Sequence, residues 1–284
     1  MQPFQYTFYA QQIYFGPGSV NRLPEITKLF GWKRVMLCTS PSFKKRGQID
    51  LIHKLLGGRL VATYDQVAAH VLEEQVREAL ELAIKEEVEA LIALGGGSSV
   101  GMAKAVSHKL EEKVAERSAQ MASPIEQPAI PIVAIPTTYA GSEMTPVYGV
   151  TRMVDGHRKK ITVKQPKVTP KVVIYDPEWT LTLPRKVTAG TGINAVAHCI
   201  EALYSATRNP LSTACALEGL KRISASLLSC FHEGRDLEAR TTMLEGAFLA
   251  GAALSNVTMG LHHGICHVIG GMTGVSHGDA KSVM

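Results

Sequence analysis

Short apolar segments alternate with amphipathic segments along roughly the first 180 residues. Runs rich in Val, Ile, Leu and Ala predict buried strands at 34–39, 60–64, 90–94, 131–136 and 172–175. Between them, apolar positions recur at helical spacing over 19–30, 48–56 and 72–85, and a further strand or hairpin is predicted within 4–15. Strands that alternate with helices indicate a doubly wound, Rossmann-like parallel sheet with helices on both faces.

The pattern changes after Leu183-Pro184, where helical spacing continues without further strands. We therefore predict an α/β domain over 1–180 and an all-α domain over 181–284, with helices near 194–207, 210–230 and 236–256. The first is expected to open at a Thr191-Gly192 cap. Small residues in the third indicate close helix packing, namely Gly246, Ala247, Ala250, Gly251 and Ala252.

Composition indicates a soluble globular protein. The chain has 284 residues, 45% of them hydrophobic, and a mild net charge of +5 that is compatible with an anionic small molecule. The sequence has no basic block with interleaved aromatic residues, so we do not expect it to bind nucleic acid. It also has no apolar run long enough to span a bilayer and no start typical of a signal peptide, so we do not expect a membrane protein. Five cysteines in mostly apolar surroundings predict reduced thiols and a cytoplasmic location.

A glycine turn follows the predicted strand at 90–94. Gly95, Gly96 and Gly97 allow close backbone approach, and a helix beginning at Ser98 would direct its free N–H groups at the same point, which suits a pyrophosphate. A tight strand–helix connection is the alternative. Thr137 and Thr138 follow the strand at 131–136, at the rim where such sheets bind ligands, although an ordinary polar loop is also compatible.

Asn194 and His198 are four residues apart, so they share one face of a helix. His263 and His267 have the same spacing, and His277 follows ten residues later. An amide and several imidazoles in one cleft would form a site rich in proton carriers and possible metal ligands.

Together these segments resemble the iron-containing alcohol dehydrogenase superfamily, with its dehydroquinate synthase-like fold, over nearly the whole chain. The resemblance rests on Ile13 to Ser19, Gly95 to Ser98, Ile135 to Thr138, Tyr175-Asp176-Pro177, Thr180 to Pro184 and the two histidine pairs.

Two departures from the superfamily pattern are similar to the maleylacetate reductase branch. Gly101 stands where an Asp usually follows the glycine turn, and Asn194 stands where an Asp is usually the first metal ligand. We define residues 137–146 as the threonine loop, and it also resembles that branch. The resemblance implies that enzymes of this branch work without a metal. A neutral amide anchors a dication far less well than a carboxylate.

The resemblance implies NADH- or NADPH-dependent reduction of the conjugated double bond of maleylacetate, a small dicarboxylate, to 3-oxoadipate in aromatic-compound degradation. It implies catalytic roles for Asn194, His198, His263, His267 and His277, with His263 and His267 as acid and oxyanion partners. The implied cofactor contacts are Ser40, Gly95, Gly96, Gly97, Ser98, Thr137, Thr138, Thr145 and Lys160. No acidic residue at Thr39-Ser40-Pro41 would repel a 2′-phosphate, so the sequence is compatible with NADH and with NADPH.

Other interpretations remain at this point. A metal-dependent alcohol or aldehyde dehydrogenase would bind Fe²⁺ or Zn²⁺ through Asn194, His198, His263 and His277. A dehydroquinate synthase-type lyase would need a basic phosphate-binding cluster, and a non-enzymatic nucleotide-binding protein would not need the histidines. The resemblance also implies a homodimer and further helices after residue 284, so we expect a truncated C-terminus.

Overall fold

The computed structural model describes residues 4, 6–7, 9–120, 129–154, 157–261, 263–266 and 269. The strands are β1 (Gln12–Phe15), β2 (Val35–Cys38), β3 (Leu60–Tyr64), β4 (Ala90–Gly95), β5 (Ile132–Pro136), β6 (Val147–Val154), β7 (His157–Lys164) and β8 (Val172–Tyr175). The α-helices are α1 (Leu23–Leu29), α2 (Gln48–Leu56), α3 (Glu73–Lys85), α4 (Gly97–Gln120), α5 (Arg185–Tyr204), α6 (Pro210–His232) and α7 (Leu237–Ser255).

Six strands form one parallel sheet in the order β1-β8-β5-β4-β2-β3. Successive side chains of β4 enter different cores: Leu91 and Ala93 join one cluster, and Ile92 and Leu94 join the other. Burial on both faces explains why these strands are continuous apolar runs rather than alternating ones. The predicted doubly wound sheet, followed by a helical region, is confirmed.

The strand order reverses between β2 and β4. β2 is followed along the chain by its neighbour β3, whereas β4 is followed by β5 on its other side. Their carboxyl ends are therefore a topological switch point, where open α/β sheets bind ligands. Ser40 follows β2, and the glycine turn follows β4.

A two-stranded antiparallel hairpin, β6 and β7, was missing from the predicted elements. The residues of β7 are mostly polar or charged, so local hydropathy does not predict a strand there. Cross-strand pairing to the more apolar β6 makes it a strand, which is a tertiary effect that local hydropathy does not show.

The prediction that a Thr191-Gly192 cap opens the first helix of the C-terminal region is wrong. That helix, α5, begins at Arg185 directly after Pro184. The Thr191 hydroxyl donates to the Val187 carbonyl inside the helix at 2.7 Å. Gly192 is needed because the Leu227 side chain of α6 occupies the space that a Cβ would take. Helix packing, not capping, explains this glycine.

The small residues of α7 do bring helices together, as predicted. A Cβ at Gly246 would lie 2.7 Å from Ile223 Cγ1 of α6, and a Cβ at Gly251 would lie 2.7 Å from Met144 Cγ in the threonine loop. α7 therefore packs on the helical layer and on the rim of the sheet at the same time.

All five cysteines lie among the described residues, and no disulfide bond joins any of them there. Within the described part of the chain, no helix has the length and apolar character needed to cross a bilayer.

Candidate active site

The glycine turn after β4 has a conformation and surroundings that require glycine. Gly95 has φ +137°, and a Cβ there would lie 2.6 Å from Ser99 Oγ. A Cβ at Gly96 would lie 3.0 Å from Thr138 Cγ2 and 3.1 Å from Thr138 Oγ1. α4 begins at Gly97 and includes Ser98, so the free N–H groups of its first turn face this turn.

The threonine loop lies beside the glycine turn. The Thr137 N–H donates to the Gly95 carbonyl at 3.0 Å. Thr138 Oγ1 is buried and has no hydrogen-bond partner among the described residues, so it is an unsatisfied polar atom next to Gly96. Thr145, in contrast, uses its hydroxyl within the loop, 3.3 Å from the Ser142 carbonyl. Ser40 lies across the switch point, and its hydroxyl is 2.9 Å from that of Ser42.

The same loop connects the glycine turn to the histidine-bearing helix. Asn194 Nδ2 donates to the Ala140 carbonyl over 3.5 Å. A Cβ at Gly141, which has φ +73°, would lie 3.7 Å from His198 Nδ1 and 3.3 Å from the Cα of Gly251. The two halves of the predicted site are therefore adjacent, with the threonine loop between them.

Asn194 and His198 lie one turn apart on α5 and are both buried, with 6% and 2% of their surface exposed. Asn194 Oδ1 has no hydrogen-bond partner among the described residues. The His198 ring stacks on that of His263, with 5.4 Å between centroids and 27° between planes. The structure thus brings His198 and His263 into contact, with Asn194 one turn before His198 on the same helix.

Glu201 holds His263 in place, and no role for this glutamate was predicted. It lies on α5, three residues after His198, and its Oε1 is 3.2 Å from His263 Nδ1. Its other oxygen, Oε2, accepts from the Gly260 N–H at 2.6 Å. Burial alone would raise the pKa of Glu201, but these hydrogen bonds and the nearby imidazole lower it. An ionised carboxylate at Nδ1 fixes the ring tautomer and stabilises positive charge on the ring.

Lys104 is a second residue for which no role was predicted. Its side chain is fully buried in α4, and Nζ donates to three backbone carbonyls of the segment that follows β5: Ser142 at 2.6 Å, Thr145 at 2.6 Å and Val147 at 3.0 Å. Burial lowers the pKa of Lys104 to about 7, although nearby Glu143 acts in the opposite direction. The ammonium group thus ties the threonine loop to the helix of the glycine turn.

Arg240 of α7 supports the loop from the other side. It is fully buried, and its NH1 donates to the Tyr139 hydroxyl at 2.8 Å and to Thr188 Oγ1 at 3.1 Å. Arg240 is the one basic residue of α7, and this was the only sequence signal for the contact.

His267 and His277 lie outside the described residues, so their predicted roles stay predictions. Within the described residues, no group of three His, Cys, Asp or Glu side chains could hold a metal ion. Lys160 lies on β7, where burial lowers its pKa.

Comparison with known proteins agrees with this fold. The model of the iron-containing alcohol dehydrogenase family matches residues 10–177, and the C-terminal model of the Fe-containing alcohol dehydrogenase family matches residues 188–284. The chain therefore belongs to the iron-containing alcohol dehydrogenase family, and it is an NAD(P)-dependent oxidoreductase.

Its similarity within the family is to the maleylacetate reductase branch. The chain is 36% identical over 281 residues to maleylacetate reductase of Pseudomonas knackmussii, covering 99% of this chain and 73% of the relative. The crystal structure of maleylacetate reductase from Rhizobium sp. strain MTP-10005 superposes with a TM-score of 0.85 at 35% identity, over 99% of this chain and 73% of that one. Sulfoacetaldehyde reductase from Bifidobacterium kashiwanohense, solved in complex with NAD⁺, has a TM-score of 0.88 at 25% identity, over 99% of this chain and 74% of that one.

Proposed function

We propose that this protein reduces the conjugated double bond of maleylacetate to give 3-oxoadipate, with NADH or NADPH as the hydride donor. The observation that carries the proposal is the contact between His198, His263 and Glu201, one loop away from a glycine turn. The curated maleylacetate reductases, similar over nearly the whole chain, support the same substrate.

The residues of the turn fit a dinucleotide. Gly95 and Gly96 leave room that a Cβ would fill, the first turn of α4 offers N–H groups, and Thr138 Oγ1 is a buried hydroxyl without a described partner. We assign the pyrophosphate to Gly95, Gly96, Gly97 and Ser98 and the nicotinamide side to Thr138. When bound, the cofactor supplies a hydride to the alkene carbon farther from the ketone.

The protein must then stabilise negative charge on the ketone oxygen and deliver a proton to the carbon beside it. A ring whose Nδ1 donates to a carboxylate can place positive charge near that oxygen, and this is the role we assign to His263. His198, stacked against it, lies close enough to share the same oxygen or to pass on the proton. Asn194 Oδ1 has no partner among the described residues and can accept a hydrogen bond from an imidazole N–H or a bound water.

We further propose that this chemistry does not depend on a metal. The described donors at the expected metal position are a neutral amide and two stacked imidazoles, which lack an anionic ligand. They do not form a cradle for Fe²⁺ or Zn²⁺, so no step is assigned to a metal. A carbonyl conjugated to an alkene is already electrophilic, so the reaction needs less Lewis-acid assistance than reduction of an isolated carbonyl.

Turnover by the purified protein tests the proposal. Consumption of NADH or NADPH should require maleylacetate and should form 3-oxoadipate, identified by mass spectrometry. Simple aldehydes in place of maleylacetate should give far slower turnover. Efficient reduction of aldehydes without reduction of maleylacetate would contradict the assignment.

A further inference from the structure

Lys160 lies on the face of the β6–β7 hairpin that packs against the loop between β3 and α3. Its direct cross-strand neighbour is Thr151, and Gly149 lies two residues before Thr151 on the same face. The Thr151 hydroxyl donates to the His70 carbonyl at 2.9 Å, which fixes this face against that loop.

The neighbouring contacts place the hairpin beside the glycine turn. The Val147 carbonyl accepts from Lys104 of α4, and the Thr151 N–H donates to the Val71 carbonyl. Val71 in turn lies against α4, since a Cβ at Gly101 would be 3.0 Å from Val71 Cγ2. The start and the middle of β6 are thus tied, directly or through the loop, to the first turns of the helix that opens at the glycine turn.

The stem of Lys160 occupies the space above Gly149. A Cβ at Gly149 would lie 2.5 Å from Lys160 Cε, 3.4 Å from Cγ and 3.5 Å from Cδ. The lysine can follow this path only because residue 149 has no side chain.

The ammonium group at the end of this stem has no counter-ion among the described residues. No hydrogen bond or ion pair joins Lys160 Nζ to them, and its side chain is partly buried. A partly buried cation without a partner is unfavourable, and binding an anion relieves that cost.

We propose that Gly149 is a positioning residue for Lys160. By leaving a slot across β6, it directs the ammonium group toward the cleft at the glycine turn, where it meets a phosphate group of NADH or NADPH. This inference rests on the proposed function, because it requires a bound dinucleotide.

The thermal stability of a Gly149 variant distinguishes this proposal from a purely structural role for the glycine. Glycine within a strand is unfavourable for folding, so alanine at 149 should leave thermal stability unchanged or raise it. The end of a lysine side chain can move aside at little cost, so the added methyl group should displace Lys160 without unfolding the hairpin. Cofactor affinity and stability should therefore change independently in the Gly149→Ala variant.

The experiment is a double-mutant cycle with Gly149→Ala, Lys160→Ala and the combined variant. The dissociation constants for NADH and NADPH, the melting temperature, and KM and kcat with maleylacetate are measured for each. The matched control is Gly58→Ala, where a Cβ would meet nothing within 4 Å.

We expect Gly149→Ala and Lys160→Ala each to weaken cofactor binding about tenfold. In the kinetics, the KM for the cofactor should rise while kcat changes little, and the melting temperature should not fall. The combined variant should bind the cofactor as tightly as the Lys160→Ala variant does. If Gly149→Ala binds cofactor as the control does, or if the two losses multiply, the inference is overturned. Failure of the wild-type protein to bind either dinucleotide would instead overturn the proposed function, and the inference with it.

Discussion

His263 Nδ1 lies 3.2 Å from Glu201 Oε1, although the two residues are 62 positions apart in the chain. The contact joins the end of α5 to the segment beyond α7, and it places a buried carboxylate behind an imidazole that stacks on His198. A histidine oriented in this way by a carboxylate can stabilise charge that develops on a substrate during the reaction.

Replacing Glu201 with glutamine should lower kcat roughly 100-fold, because the isosteric amide keeps the shape but loses the negative charge behind His263. Cofactor affinity should change little, since the glycine turn is not touched. Steady-state kinetics and fluorescence titration with NADH check both. The exposed Glu178→Gln variant is the control, and a kcat equal to that control would show that the carboxylate has no catalytic influence.

Replacing Gly96 with alanine should weaken cofactor binding at least about tenfold, because the new methyl group would lie near 3 Å from two atoms of Thr138. Adjustment of Thr138 should limit the loss of stability to roughly 1–3 kcal/mol. Calorimetric titration with NADH and NADPH measures the first effect, and urea unfolding measures the second. Unchanged affinity would mean that the dinucleotide does not approach this turn.

Lys104 should make the stability of the protein pH-dependent. The folded pKa is about 7, below the ordinary value of 10.5, so between these values the unfolded chain binds more protons than the folded one. Protonation of this group therefore costs stability, fully below pH 7, and that cost is relieved as the pH rises toward 10.5. Urea midpoints of wild type and Lys104→Met between pH 7 and 10 should differ in slope, with the wild type rising more.

The same Lys104→Met variant should be less stable by roughly 3 kcal/mol near neutral pH, because it leaves three buried carbonyls of the segment after β5 without their donor. Equal stability of the two proteins would show that water replaces the ammonium group.

Replacing Asn194 with aspartate should raise the affinity for Zn²⁺ or Fe²⁺ above that of the wild type, because a carboxylate would then stand beside His198. Without metal, the variant should be less stable, since the amide donor to the Ala140 carbonyl is lost and a charge is buried. Metal content after dialysis and thermal unfolding with and without Zn²⁺ measure these effects. Equal metal uptake by both proteins would argue against the importance of the amide.

Much of the fold could be predicted because its signals are local. Buried parallel strands such as β4 are continuous apolar runs, and the glycines after β4 mark the turn. The β6–β7 hairpin could not be predicted, since the charges of β7 hide a strand that depends on its partner. The start of α5 was misplaced because Gly192 suggested a cap, whereas its actual role is to admit Leu227 from α6.

The residues of the site likewise fall into those with a local signal in the sequence and those without one. Spacing predicted that Asn194 and His198 share a face, and resemblance pointed to His263, since each signal lies within one short motif. Glu201, Lys104 and Arg240 could not be assigned roles, because their contacts join segments that are far apart in the chain. A lone buried charge in a helix shows that a partner is needed, but only the tertiary structure shows which one.

Turnover of maleylacetate by metal-stripped protein is the measurement that tests the account most directly. Protein treated with a chelator and shown by elemental analysis to be free of iron and zinc is assayed with NADH and with NADPH. We expect it to keep the rate of untreated protein, with no gain when Fe²⁺ or Zn²⁺ is added. Loss of turnover on stripping, restored by one equivalent of either metal, would contradict the proposal that the histidines and Asn194 act unaided.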